Sequence, residues 1–273
     1  MLNLTRWWPL AAVLCLAGCG GGEGGSAPPS AEASGGGEPL IVGMELAYPP
    51  FEMTATDGEP AGLSVDLARA LAEDLGRPLE IENIQFAGLI PALQSGRIDL
   101  IISSMTATEE RAKSVAFSEP YAKIGLAMLV PEDSLIDGVE DLDAAGEKVA
   151  VKRGTTSQVY AAEHLKDARM MVFDRADAAV TEVVQNRADA FIYDQLSIYR
   201  YARRHPDTTR PVLTAIEEEA WAIALRQSDT ELLGQVNAFL TKFKEDGGFE
   251  RLGDRYLQPA KEAFQAHGIP FIF

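Results

Sequence analysis

The chain has 273 residues, and its 41 Asp plus Glu outnumber 24 Lys plus Arg for a formal charge of −17 at pH 7. Such acidity, with no basic cluster along the chain, argues against a nucleic-acid partner and says little about a small ligand. With 47% hydrophobic residues, the chain can bury the core of one large or two modest domains.

Residues 1–18 read as a secretory signal. Arg6 supplies the positive charge, an apolar run covers residues 7–16, and Leu16-Ala17-Gly18 precedes Cys19. The run is too short to span a bilayer. The Leu-Ala-Gly-Cys order resembles a bacterial lipobox, which implies cleavage before Cys19 and acylation of its thiol. Residues 19–37, rich in Gly, Ser, Ala and Pro, form a flexible tether with nothing to bury. Cleavage removes Cys15 and leaves Cys19 as the remaining cysteine, so no internal disulfide can form and the fold rests on its core.

Residues 40–45 read as a first strand, ended by the paired Pro49 and Pro50, which cannot continue a ladder. Residues 63–75 carry apolar side chains at helical spacing and stop at Gly76 and Pro78. Residues 79–84 form a second strand and 89–95 a second helix closed by Gly96. The apolar run 98–102 then has the character of a strand buried on both faces. It ends in Ser103-Ser104-Met-Thr106, and Thr106-x-x-Glu109 has the form of a capping box opening a short helix over 109–113. Ligands sit at such carboxyl strand ends in open α/β sheets, and Arg111 on this helix offers a planar fork for a carboxylate.

Beyond the apolar run 124–130, strands at 148–152 and 188–194 alternate with helices at 158–165 and 176–186. A strand at 221–225 and helices at 232–244 and 249–256 complete the pattern. The class is α/β with parallel sheets. An internal echo is visible: Gln94-Ser-Gly-Arg-Ile-Asp99 and Gln185-Asn-Arg-Ala-Asp189 each precede an apolar run ending in polar residues. Two such lobes with facing strand ends would enclose a cleft.

Several segments in register resemble the extracytoplasmic solute-binding proteins of polar amino-acid ABC transporters (bacterial solute-binding protein family 3), in lipoprotein form. They are Tyr48-Pro-Pro-Phe51-Glu, Gly62-Leu-Ser-Val-Asp66, the stretch from Ile98 to Arg111, Phe117-Ser-Glu-Pro-Tyr121, Gly154-Thr-Thr156, Asn186 to Asp194, and Gly247-Gly-Phe249 with Tyr256. The resemblance implies a two-lobed periplasmic-binding-protein-like fold of type II. Lobe 1 would take residues 38–126 plus 222–273 and lobe 2 residues 127–221, with hinge strands at 124–130 and 221–225.

Carried over to this chain, the family's pattern makes Arg111, Thr106 and Thr156 hold a ligand's α-carboxylate. Asp194 and the Ser103 carbonyl would take the α-ammonium, with Ser104 beside them. Tyr48 and Phe86 would be walls for the ligand side chain, whereas Phe51 and Asp66 are read as structural. Glu45 stands where relatives often carry an acid, and Lys152 matches a lysine of a glutamine-binding relative. The two conflict over a cationic ligand, or pair with each other. Glutamine is therefore the favoured ligand, with a cationic amino acid as the alternative.

The implied partners are a polar L-amino acid and the transporter permease, with membrane contact through the lipid anchor only. A monomer is expected, and neither a cofactor nor a metal. No nucleophile elbow, phosphate loop or metal-ligand spacing stands out, so a non-enzyme is expected. A sensory module and a dehydratase of the prephenate or arogenate type are alternatives on the same fold. The tail 258–273 is apolar at Phe264, Ile269, Phe271, Ile272 and Phe273, and it is expected to pack back on lobe 1.

Overall fold

The computed structural model describes residues 37–143, 146–266 and 268–273. The expected signal sequence, the Cys19 anchor and almost all of the tether therefore lie outside the described residues.

In chain order the first half runs β1 (Leu40–Met44), β2 (Ala47–Tyr48), β3 (Glu52–Thr54), β4 (Pro60–Ala61), α1 (Leu63–Asp74), β5 (Leu79–Asn83), α2 (Leu89–Gln94), β6 (Leu100–Ile101), α3 (Glu109–Ala112), β7 (Ala116–Phe117) and β8 (Ala122–Pro131). The second half runs β9 (Lys148–Lys152), α4 (Thr156–His164), β10 (Arg169–Phe173), α5 (Ala176–Val184), β11 (Ala190–Asp194), α6 (Gln195–Arg204), β12 (Thr209–Val212), β13 (Glu218–Trp221), β14 (Ala224–Leu225), α7 (Thr230–Glu245) and α8 (Gly248–Ala266).

Two main sheets result. One has the order β5-β1-β6-β14-β7, the other β10-β9-β11-β8-β12. Leu40, Val42 and Met44 of β1 and Val149 to Val151 of β9 are fully buried, which is why these strands read as near-continuous apolar runs. The sheets are mixed rather than parallel throughout, a correction to the expectation from alternation. β14 runs antiparallel to β6 and β7, and β8 antiparallel to β11 and β12. Of these antiparallel members, β8 is a segment by which the chain changes sheets.

It changes sheets twice, along β8 and β13, which pair antiparallel with each other from Ala122↔Trp221 to Gly125↔Glu218. The expected strand over 221–225 is in fact two. β13 belongs to this crossing pair, whereas β14 returns to the first sheet. Ala222 and Ile223 intervene, and their backbone serves other segments: Ala222 N–H donates to Met105 O and Ile223 O accepts from Ser118 N–H.

The internal echo has a structural counterpart. Asp99 accepts from Ile41 N–H at 3.1 Å while its own N–H returns to Ile41 O, and Asp189 makes the same exchange with Lys148. Gly96 and Asn186 occupy equivalent helix ends, with φ of 76° and 52°. Each lobe thus locks its helix–turn–strand unit onto a neighbouring strand through one aspartate.

Helix α8 is far longer than its sequence period, because Pro259 is accommodated inside it. It is tied to α1 through Asp66, which accepts from Tyr256 Oη at 2.6 Å and from Arg255 Nη1 at 2.8 Å. Phe264 is fully buried and meets Tyr199 of α6 edge-on, so α8 reaches the second lobe. The tail folds back: Phe273 stacks on Phe249 at 5.3 Å, and Ile272 O accepts from Lys123 N–H at 2.8 Å. The apolar tail is thus core rather than a free end. Phe264→Ala should cost roughly 3–5 kcal/mol through cavity formation, read as a loss of denaturant midpoint; an unchanged midpoint would show that the tail does not stabilise the fold.

Candidate functional site

Strands β1 and β6 of one sheet and β9 and β11 of the other end around a cleft with about 430 Å³ of empty space, part of it open to solvent. Each strand end delivers polar groups. Glu45 follows β1, Ser103 and Ser104 follow β6, Lys152 closes β9, and Asp194 closes β11. Thr106 and Arg111 come from the loop and helix after β6, Thr156 opens α4, Tyr48 lies on β2, and Phe86 precedes α2. All of these proposed ligand residues line the cleft. Phe51 is excluded from it, stacked behind Tyr48 at 5.3 Å.

Arg111 joins the two sides. Its Nη1 donates to Thr106 O at 2.6 Å and its Nη2 to Gly154 O at 3.0 Å, across the cleft. Its guanidinium lies 5.5 Å from the centre of the Phe86 ring, a cation–π distance. Burial lowers its pKa, and the charge of Glu219 works against that shift. Gly154 has φ of 77°, and a Cβ there would come within 3.1 Å of Ala87 Cβ. A glycine at this point suits both the turn and the close approach of the two sides.

The capping box expected at Thr106 does not form. Thr108 caps α3, its hydroxyl accepting from Arg111 N–H at 3.2 Å. The Thr106 hydroxyl instead donates to Glu219 Oε2 at 3.1 Å. The helix begins at Glu109, so Thr108 rather than Thr106 stands at its N-cap.

Glu45 and Lys152 form a buried ion pair across the cleft. Lys152 Nζ also stands 5.3 Å from the Phe86 centroid. Asp194 is 5% exposed and caps α6, accepting from Ser197 N–H at 2.9 Å through Oδ1. Its Oδ2 is buried without a hydrogen-bond partner among the described residues. Burial pushes its pKa up, and the Tyr48 hydroxyl and Ser197 amide partly oppose this.

Residues that sequence reasoning did not place here include Glu52, Tyr193, Glu219 and Trp221, beside Leu126, Thr155 and Ser157. Glu52 is 1% exposed and lies beneath the serine turn, accepting from Ser103 Oγ at 3.3 Å and Ser104 Oγ at 3.1 Å. Ser104 itself has φ of 50°, a left-handed conformation uncommon for a side-chain-bearing residue. Tyr193 precedes Asp194 on β11 and meets Tyr48 edge-on at 5.7 Å. The acid in Tyr48-Pro-Pro-Phe-Glu52 was in plain view; what marks it is burial, which no spacing reveals. Among the described residues no cluster of His, Cys, Asp and Glu is arranged to hold a metal ion.

The profile of the bacterial extracellular solute-binding proteins, family 3, matches residues 40–259. The L-arginine-binding protein of Pseudomonas aeruginosa is 32% identical over 229 residues, covering 81% of this chain and 88% of its own. The ABC transporter glutamine-binding protein GlnH of Bacillus subtilis is 29% identical, covering 91% and 94%. Among solved structures, the ancestral amino acid-binding protein AncCDT-1, a precursor of cyclohexadienyl dehydratase, superposes with a TM-score of 0.74 at 38% identity, covering 80% and 94%.

Burial pushes the Glu52 carboxyl up from 4.5 to about 8. Between those values the native protein keeps a proton that the unfolded chain has released, so this group's contribution to stability falls as pH rises. The limiting slope is about 1.4 kcal/mol per pH unit. Glu52→Gln removes the titration, and the variant should gain on the wild type between about pH 5 and about pH 8 in denaturant unfolding. Parallel profiles would mean that Glu52 is ionised in the native state.

Proposed function

We propose a function from one premise: the chain belongs to the bacterial extracellular solute-binding proteins, family 3. It binds a polar L-amino acid in the cleft between its lobes and delivers it to an ABC importer. The observation that carries this reading is the placement of Arg111 and Asp194, from opposite sides, on one cleft. A zwitterion needs a cationic fork at one end and an acceptor at the other, each desolvated group finding a partner. Because the two groups belong to different lobes, a ligand satisfies both only when the lobes are closed, and so favours closure.

Within this reading, Arg111 and the opening of α4 at Thr156 take the α-carboxylate. Asp194 and the Ser103 carbonyl take the α-ammonium, with Ser104 adjoining. Tyr48 and Phe86 wall the side chain. The lobes comprise residues 38–126 plus 222–273, and 127–221. The Glu45–Lys152 pair neutralises itself, which favours a neutral polar side chain such as that of glutamine, its carboxamide offering a donor to the acid and an acceptor to the lysine. Relatives named for arginine binding keep a cationic ligand as the alternative.

We read the protein as a binding protein rather than an enzyme, acting as a monomer outside the cytoplasm. Cys19 would be its lipid anchor after removal of residues 1–18. Intact mass and detergent partition of the mature protein test the anchor; a hydrophilic product without an added lipid mass would overturn it.

The primary test is a thermal-shift screen of refolded, ligand-stripped protein against the amino acids, ornithine and prephenate. Ligand at a hundredfold over its Kd stabilises by about 2.7 kcal/mol. A shift with one or a few polar amino acids is expected, and Arg111→Ala should abolish it while leaving the unliganded midpoint nearly unchanged. A shift with prephenate accompanied by product formation would replace the binding reading with an enzymatic one. Lys152→Met should cost about 3–5 kcal/mol by stranding Glu45 and should alter which side chains are accepted; the same screen reads both effects.

A further inference from the structure

Most of the charged groups in the cleft are accounted for within the protein. Lys152 is matched by Glu45, and the Arg111 fork is engaged by Thr106 O and Gly154 O. Glu52 is held by two serine hydroxyls and kept neutral near pH 7 by burial. Two acids remain, Asp194 and Glu219. Neither forms an ion pair with a described residue, although Glu219 feels the charge of Arg111 and Asp194 that of Arg200 at longer range.

The two acids share one pattern. Each has a satisfied oxygen, Asp194 Oδ1 on the Ser197 amide and Glu219 Oε2 on the Thr106 hydroxyl. Each also has a buried oxygen, Asp194 Oδ2 and Glu219 Oε1, with no hydrogen-bond partner among the described residues. Glu219 is 9% exposed, and both residues line the cleft. A buried carboxylate oxygen without a donor is costly, and the cost is removed by a proton or by a cationic donor brought in with the ligand.

Thr106 has a single hydroxyl hydrogen, which it gives to Glu219, so this hydroxyl meets the cleft as an acceptor. It therefore cannot donate to a ligand carboxylate while that bond lasts. The backbone fixes the arrangement just after Glu219: Thr106 pairs with Trp221 through an isolated bridge, and Ala107 N–H donates to Ala220 O at 2.9 Å. Burial raises the pKa of Glu219 and the nearby Asp194 raises it further, whereas Arg111 and the hydroxyls of Thr156 and Thr106 lower it. A cation beside both acids relieves both burial and their mutual repulsion.

We propose that Glu219 is a second carboxylate of the ammonium subsite, sharing the ligand's α-ammonium with Asp194, so that the cleft selects for a protonated α-amine. The inference rests on the amino-acid-binding reading above and assigns Thr106 to the acceptor side of the site. An ammonium has three N–H donors, enough for one bond to each open oxygen and a third to a neutral acceptor. Glu219 lies on the crossing strand β13 and Asp194 at the end of β11. The amine would thus be gripped from the hinge and the second lobe, and the carboxylate from Arg111 of the first.

Isothermal titration of L-glutamine, L-arginine and L-histidine against their des-amino counterparts, glutaramate, 5-guanidinovalerate and imidazolepropionate, tests this on the wild type and Glu219→Gln. The variant should bind the wild type's preferred amino acid at least about tenfold more weakly. It should bind the des-amino partner as well as before or better, collapsing the discrimination between them. A merely structural role would weaken both members of a pair alike and leave their ratio intact, which would overturn the proposal. Tighter amino-acid binding by the variant would also overturn it, placing Glu219 against the ligand's carboxylate. If Glu219→Gln fails to fold, Glu219→Asp, which keeps the charge but withdraws it, should show an intermediate ratio; an unchanged ratio there overturns the proposal equally. Wild-type protein that binds none of the six compounds overturns the amino-acid reading and this inference together.

Discussion

Glu45 and Lys152 leave opposite sheets and meet inside the cleft, both almost wholly buried. Removing two charges from water is costly, and only close pairing recovers most of that cost. The pair therefore constrains the ends of β1 and β9, and with them the two sheets. Around it the other groups fall into place: Phe86 packs near the lysine on one side, and Tyr193 lies 6.0 Å from it on the other. Arg111 adds a second tie through Gly154 O. Both ties use groups that a ligand would also contact, so the forces that close the cleft and those that recognise a solute are drawn from the same residues.

The crossing strands carry more than connectivity. β13 contributes Glu219 and Trp221 to the cleft wall, while its partner β8 contributes Leu126. A change in the angle between lobes would move Glu219 relative to Asp194, coupling hinge geometry to the electrostatics of the site. Behind the hinge, α8 and the C-terminal tail pack on α1, α6 and the start of β8. The aromatic stack of Phe249 and Phe273 and the Lys123–Ile272 hydrogen bond place the tail where the chain first crosses.

The acids show how one residue type takes different roles by environment. Asp66 is a structural acceptor for Tyr256, Arg255 and Arg69. Asp99 and Asp189 lock turns to neighbouring strands. Glu52 is neutralised by burial near pH 7, Glu45 by a lysine, and Asp194 is both helix cap and cleft wall. In sequence, short motifs single out Asp194, Glu45 and Asp66, and nothing marks the burial of Glu52. Their surroundings separate them, because solvation and neighbouring charge determine whether a carboxylate can exist as an ion.

The sequence by itself determined the alternation of strands and helices, the two-lobed class, and the residues that converge on the cleft. The alternation depends on local periodicity and breakers, whereas the two lobes and the site residues follow from the resemblance carried by short motifs: the apolar run before Ser103, the Gly154-Thr-Thr156 turn, the strand ending in Asp194. The Glu45–Lys152 pairing was legible only as one of two options, since the partners are 107 positions apart. Only the tertiary structure decided the splitting of 221–225 into two strands, the shift of the α3 cap from Thr106 to Thr108, and the burial of Glu52 and Glu219. Each of these depends on which distant backbone or hydroxyl arrives at a given oxygen. Hydrogen bonds and desolvation are short-range in space, and the chain brings their participants together from more than a hundred residues away, as with Thr106 and Glu219.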